Sequence, residues 1–93
     1  MKVDYAPRAR ADLVEIGDYT RTAFGSAAAS ALETYIRATV ARVAAMPDSG
    51  VLVPEREGVR MVPLVRYPFR IFYALSDETV TILHIRHTAR RPW

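Results

Sequence analysis

Apolar positions along this chain follow two rhythms in succession, helical spacing through the first half and strand alternation through the last third. Lys2-Val3-Asp4-Tyr5 alternates and is short, which predicts an edge strand. Ala6-Pro7 then opens a helix, because the N–H that proline lacks is not needed at the first helical position. Leu13, Ile16, Thr20 and Ala23 recur at helical intervals through Phe24, with Asp12, Glu15 and Asp18 as the wet flank. Gly25 ends this helix, and Ser26 is placed to cap the next. A second helix over residues 27–45 gathers Ala28, Leu32, Tyr35, Ile36, Thr39, Val40 and Val43 into one stripe, with Arg37, Ala38, Ala41 and Arg42 off it. Joined at Gly-Ser, the two helices read as an αα-hairpin.

Pro47-Asp48-Ser49-Gly50 is a strong stop, and residues 51–58 read as a loop. Residues 59–65 are β-prone, with Pro63 implying an edge position or a bulge. After a turn at Tyr67-Pro68, Phe69 to Ser76 is the strongest strand. Ile71, Tyr73 and Leu75 share one face, and Arg70, Phe72 and Ala74 the other. A tight turn at Asp77-Glu78 leads into a last strand, Thr79 to His87. Strict alternation there puts Val80, Ile82, His84 and Arg86 on one side and Thr81, Leu83, Ile85 and His87 on the other. The order β-α-α-β-β-β predicts an α+β domain, a helical hairpin packed on an antiparallel meander, with the first strand joining at an edge. Residues 1–93 form a single domain in this reading.

Composition narrows the function classes. The chain has 93 residues, no cysteine and 51% hydrophobic residues, so a small globular fold is expected and disulfides or thiolate metal sites are excluded. No secretory h-region or membrane-length apolar run is found, so a soluble, cytoplasmic protein is expected, without a membrane partner. Net charge is +3, and Lys2 is the only lysine. Arginine dominance suits bidentate contacts to phosphate or carboxylate, although GC-rich coding sequences produce the same bias without a functional cause. From Leu83 onward the side chains include Arg86, Arg90 and Arg91 and no carboxylate. Such a basic edge suggests an acidic partner.

Candidate chemistry is concentrated in residues 66–93. His87 is the best acid–base candidate, because an imidazole titrates near neutrality, and Arg86 and Arg90 beside it could hold a phosphate. The alternative is a histidine that hydrogen-bonds backbone where the sheet ends. His84 lies within the strand and reads as structural. Arg70 and Tyr73 leave opposite faces of one strand. Arg70 is either functional or ion-paired to Glu15 or Asp18, and Tyr73 reads as core with its hydroxyl at the edge. Arg60 is a sheet-face cation or a partner contact, and Trp93 a packing plug or a partner anchor. Histidines at i and i+3 on a strand do not share a face, so no metal is expected, and no cofactor motif is present.

An ordered set of short motifs resembles the RelE/ParE superfamily of bacterial toxins from type II toxin–antitoxin modules. The set comprises Ala9-x-x-Asp12-Leu13-x-x-Ile16-x-x-Tyr19, Pro47-x-x-Gly50, Gly58-x-Arg60, Tyr67-Pro68-Phe69-Arg70-Ile71-x-Tyr73 and Ile85-x-His87-x-x-Arg90-x-Pro92. It spans nearly the whole chain, and the Tyr-Pro-Phe-Arg and His-x-x-Arg pieces carry most of it. The resemblance implies one of two activities: messenger RNA cleavage in the ribosomal A site, as in the RelE-like branch, or poisoning of DNA gyrase, as in the ParE-like branch. In either case a cognate antitoxin wraps the toxin in a hetero-oligomer and alone contacts operator DNA.

RelE-like nucleases commonly carry lysines on the strand before the Tyr-Pro-Phe-Arg segment, where this chain has Met61 and Pro63. They also commonly use a tail tyrosine or histidine, where this chain has only Trp93 after Pro92. Arg70 matches the nucleases' strand arginine, but one arginine supplies neither acid nor base. The ParE-like branch is therefore expected, with no residue assigned as catalytic. Arg60, Arg70, Arg86, His87, Arg90 and Trp93 are the expected partner-binding set. The alternatives are a ribonuclease using Arg70, Arg86, His87 and Arg90, or a non-toxic member that only binds its antitoxin and helps repress the operon.

Overall fold

The computed structural model describes residues 1–89. Its elements are β1 (Lys2–Tyr5), α1 (Pro7–Phe24), α2 (Ser26–Ala45), β2 (Val51–Leu52), β3 (Val59–Pro63), β4 (Phe69–Ser76) and β5 (Thr79–His87). They form one five-stranded sheet in the order β1-β5-β4-β3-β2, with the helical hairpin on one face. The sheet is mixed rather than a pure meander. β2 through β5 run antiparallel in sequence, while β1 pairs parallel with β5, from Lys2 opposite Thr79 to Tyr5 opposite Ile82. A parallel partner needs a long crossover, and α1, α2 and the first three antiparallel strands supply it.

Gly25 is the whole joint between the helices. Its φ of +98° is open to glycine and costly for other residues. Its N–H donates to the Arg21 carbonyl, closing α1, and its own carbonyl accepts from Ala29 N–H, opening α2. Ser26 is already inside α2 and makes no capping bond, so the expected serine cap does not form. The stripe expected on α2 is the one buried: Leu32, Ile36, Thr39, Val40 and Val43 face the sheet. There they meet Ile71, Tyr73, Val80, Ile82 and Ile85, with Ala9 from α1, in one core.

Tyr73 holds the end of α2 to the sheet. Its buried hydroxyl donates to the Pro47 carbonyl at 2.8 Å and accepts from Gly50 N–H at 2.9 Å. A Cβ on residue 50 would lie 2.4 Å from that hydroxyl, so the stop loop requires glycine by close approach. The core position expected for Tyr73 is therefore met, with both its hydrogen-bonding roles filled. Residues 51–58 are not all loop, because Val51 and Leu52 form a two-residue edge strand beside Met61 and Arg60. β3 stops at Pro63, past the end of β2, where a missing N–H is tolerated.

One irregularity sets the faces of β5. Phe72 pairs with His84 but Tyr73 pairs with Ile82, so Leu83 is an extra residue in β5, a β-bulge. The bulge reverses the alternation beyond it. Ile85 turns to the helix-covered face with Ile71, and His84 and Arg86 turn to the opposite face with Phe72 and Arg70. Strict alternation had grouped His84 and Arg86 with Val80 and Ile82. One unpaired residue overturns that grouping, because strand periodicity is exactly two only in an unbroken ladder.

Candidate functional site

β1 ends at Tyr5, so the outer edge of β5 lacks a strand partner beyond Ile82. α1 lies along that edge and closes it with a side chain. The Asp12 carboxylate accepts from Ile85 N–H at 2.9 Å and from His84 Nδ1 at 2.5 Å with one oxygen, and the other lies 3.4 Å from Arg8 Nε. A carboxylate only accepts, so this contact places the imidazole proton on Nδ1. His84 is 3% exposed and stacks on Phe72 with ring centroids 6.2 Å apart. His84 is structural, as expected, but Asp12 is not on a wet flank. Asp12 follows the fully buried Ala9 by three residues and precedes the half-buried Ile16 by four, spacing that points it to the sheet edge. That periodicity is present in the sequence, where the charge of Asp12 points the other way.

Arg70 and Arg86 are direct partners across the β4–β5 ladder and leave the same face, both half-buried. The expected ion pair of Arg70 with Glu15 or Asp18 does not form, since α1 covers the other side and Asp18 pairs with Arg21 instead. Arg86 Nε is buried without a hydrogen-bond partner among the described residues. His87 pairs with Phe69 on the helix side, its ring edge-on to Phe69 at 5.3 Å. Its Nδ1 accepts from Ala89 N–H at 3.0 Å, so the neutral ring carries its proton on Nε2. The backbone-bonding alternative raised for His87 is thus the contact observed.

Arg60 is occupied internally. One nitrogen donates to the Gly50 and Asp48 carbonyls at 2.8 and 3.2 Å, and another lies 3.7 Å from the Asp48 carboxylate. Arg90 and Trp93 lie outside the described residues. Among the described residues, no group of three or more acidic, histidine or cysteine side chains could hold a metal ion. Among the described residues, no helix is long and apolar enough to cross a membrane.

Two concavities flank α1. A groove of about 620 Å³ runs between α1 and the free edge of β5, where Arg8, Glu15 and Tyr19 face Phe69, Arg86 and His87. A cleft of about 430 Å³ separates α1 from α2, floored by Leu13, Ile16, Leu32 and Ile36. Tyr5 lines this cleft, and burial raises its hydroxyl above the ordinary 10.0, with the nearby Arg37 charge lowering it in part. Apolar side chains also stand in solvent, Val14, Tyr19 and Phe24 on α1 and Val51 and Leu52 on β2.

Three solved structures share this architecture. A chain of the chromosomal ParDE toxin–antitoxin system of P. aeruginosa matches with a TM-score of 0.82 at 27% identity, covering 94% of this chain and 95% of that one. The isolated E. coli RelE toxin matches at 0.62 and 16% identity, over 97% of this chain and 86% of that one. The YoeB/ParE toxin from Agrobacterium tumefaciens matches at 0.66 and 13% identity, over 94% and 98%. The last two share the fold alone. No curated protein matches significantly. The family described as the ParE toxin of the type II toxin–antitoxin system parDE matches residues 3–92, nearly the whole chain. With the hairpin, sheet order and motif set in agreement, the chain belongs to the ParE toxin family.

Proposed function

We propose that this ParE-type toxin inhibits bacterial growth by binding and poisoning DNA gyrase, and that a cognate antitoxin holds it inactive. The observation that carries the choice of target is the chemistry around Arg70 and Arg86. RNA cleavage needs a base for the attacking 2′-hydroxyl and an acid for the leaving oxygen. His84 is 3% exposed, out of reach of a substrate, and His87 stands on the other side of the sheet with Nδ1 bonded to backbone. Two arginines without that pair stabilise charge and bind anions.

Likeness to a chain of a ParDE system supports the antitoxin. So do the exposed apolar side chains on α1 and β2, which a partner would remove from water. Partner contacts fall on Arg70, Arg86 and His87, with Arg90 and Trp93 beyond the described residues. Contact with operator DNA then runs through the antitoxin.

The test is induction of the protein alone, with DNA breaks, SOS response and transcript ends read in parallel. DNA damage with intact transcripts is the expected result. Clean messenger cleavage without DNA damage would establish the nuclease alternative, and unimpaired growth would leave a non-toxic repressor partner.

A further inference from the structure

We infer that Arg70 and Arg86 form a clamp for a single carboxylate, supplied by an acidic side chain that lies among apolar ones in the antitoxin. This deepens the proposed function and rests on its antitoxin reading.

Directly opposed like charges on one face of an antiparallel pair repel. Here neither guanidinium is ion-paired among the described residues. Among the described residues nothing accepts the proton of the buried Arg86 Nε, and a buried unmet donor is costly. Of the strand residues that register places on this face, Asp4 is the one carboxylate. It lies beside Thr81, five residues along β5 from Arg86 and roughly 16 Å away at strand spacing. The α1 carboxylates that line the groove beside Arg86, Asp12 and Glu15, form no ion pair with either arginine among the described residues, Asp12 being held by His84 and Ile85 N–H. An anion held between the two forks removes the repulsion and fills the empty Nε–H, and guanidiniums suit the planar carboxylate.

The surroundings choose the source of that anion. Nucleic acid binding relies on a track of cations and on rings that stack with bases. The other strand cation that register places on this face is Lys2, at the far corner beside Asp4, and the face's strand aromatic, Phe72, is 4% exposed. The groove beside Arg86 that holds Arg8 and Tyr19 also holds Asp12 and Glu15, whose carboxylates oppose a phosphate track. Beside the clamp stand Pro63, directly across from Arg70, then Met61 and Val51. A positive pair bordered on its β3 side by apolar side chains fits an acidic residue with apolar neighbours in a protein segment.

The experiment uses the 93-residue chain and, as candidate antitoxin, the product of whichever small reading frame adjoins its gene. Dissociation constants are compared for wild type, Arg70→Gln, Arg86→Gln, the double variant and Arg66→Gln, with thermal melts confirming folding. Each clamp variant should weaken binding about ten- to a hundredfold. The double variant should lose little more than a single, because both arginines serve one carboxylate. Arg66→Gln, an equal charge loss on an exposed loop, should bind as wild type. An Asp/Glu→Gln scan of the partner should find one position whose loss adds nothing to Arg70→Gln. If the wild type does not bind that product, the antitoxin reading falls and this occupant with it. If it binds and the clamp variants bind equally, the clamp is wrong and the antitoxin reading stands. Tight binding of a labelled 12-nucleotide RNA or DNA that Arg70→Gln abolishes would overturn the carboxylate in favour of phosphate.

Discussion

On the helix-covered face of the sheet, Arg60 reaches two carbonyls and a carboxylate of the stop loop, while on the opposite face Arg70 and Arg86 confront each other with no acceptor among the described residues. The helix side is internally complete. Tyr73 fills both its hydrogen-bonding roles, and the surrounding Ile71, Val80 and Ile82 are fully buried. The difference teaches that an arginine's role is read from its acceptors: where the fold supplies them it is structural, and where the fold withholds them it is available to a partner.

The contrast can be broken most forcefully at its satisfied end. Tyr73→Ala should destabilise by about 3–5 kcal/mol in denaturant unfolding, from a lost core ring and two stranded backbone groups. Tyr73→Phe keeps the ring and should lose about 1–3 kcal/mol, because Gly50 N–H and the Pro47 carbonyl lose their partner. A Tyr73→Phe protein as stable as wild type would show that the loop is held by other contacts.

Asp12→Ala should come next, at about 1–3 kcal/mol, since Ile85 N–H and His84 Nδ1 lose their acceptor. Asp12→Asn, which keeps an acceptor oxygen, should lose less. Amide exchange at Ile85 should quicken in the alanine variant, and unchanged exchange would contradict edge closure by Asp12.

The two kinds of arginine give the sharpest pair. Arg60→Ala should cost about 1–2 kcal/mol, whereas Arg70→Ala should fall within about 0.5 kcal/mol of wild type or gain slightly from relieved repulsion. Equal losses at both positions would erase the distinction between the faces.

Tyr5 gives the smallest effect. Its folded pKa is raised above the unfolded value, so the neutral hydroxyl is favoured in the fold. Its contribution is whole below about pH 10 and is lost as pH rises through the folded pKa. Tyr5→Phe should flatten the alkaline fall in stability, and an unchanged fall would assign it to other groups.

Much of this architecture was legible before any coordinates. β1, β4 and β5 stand where alternation placed them, and α2 buries the stripe that helical spacing marked. The family was legible too, because its motifs sit at turns and strand starts that local chemistry already specifies. Parallel pairing of β1 was not legible, since a strand's pattern carries no record of its neighbour's direction. β2 was too short to show a period.

What the sequence determined alone was which segments are helix or strand and which residue types each offers, because propensity and periodicity act over a few neighbouring residues. What only the tertiary structure decided was where the charges ended up. The extra residue at Leu83 turned Arg86 onto the face of Arg70, and the early end of β1 drew Asp12 to the edge of β5. Both are consequences of pairing between distant segments, where a single residue of register reverses a face, and no local pattern records that.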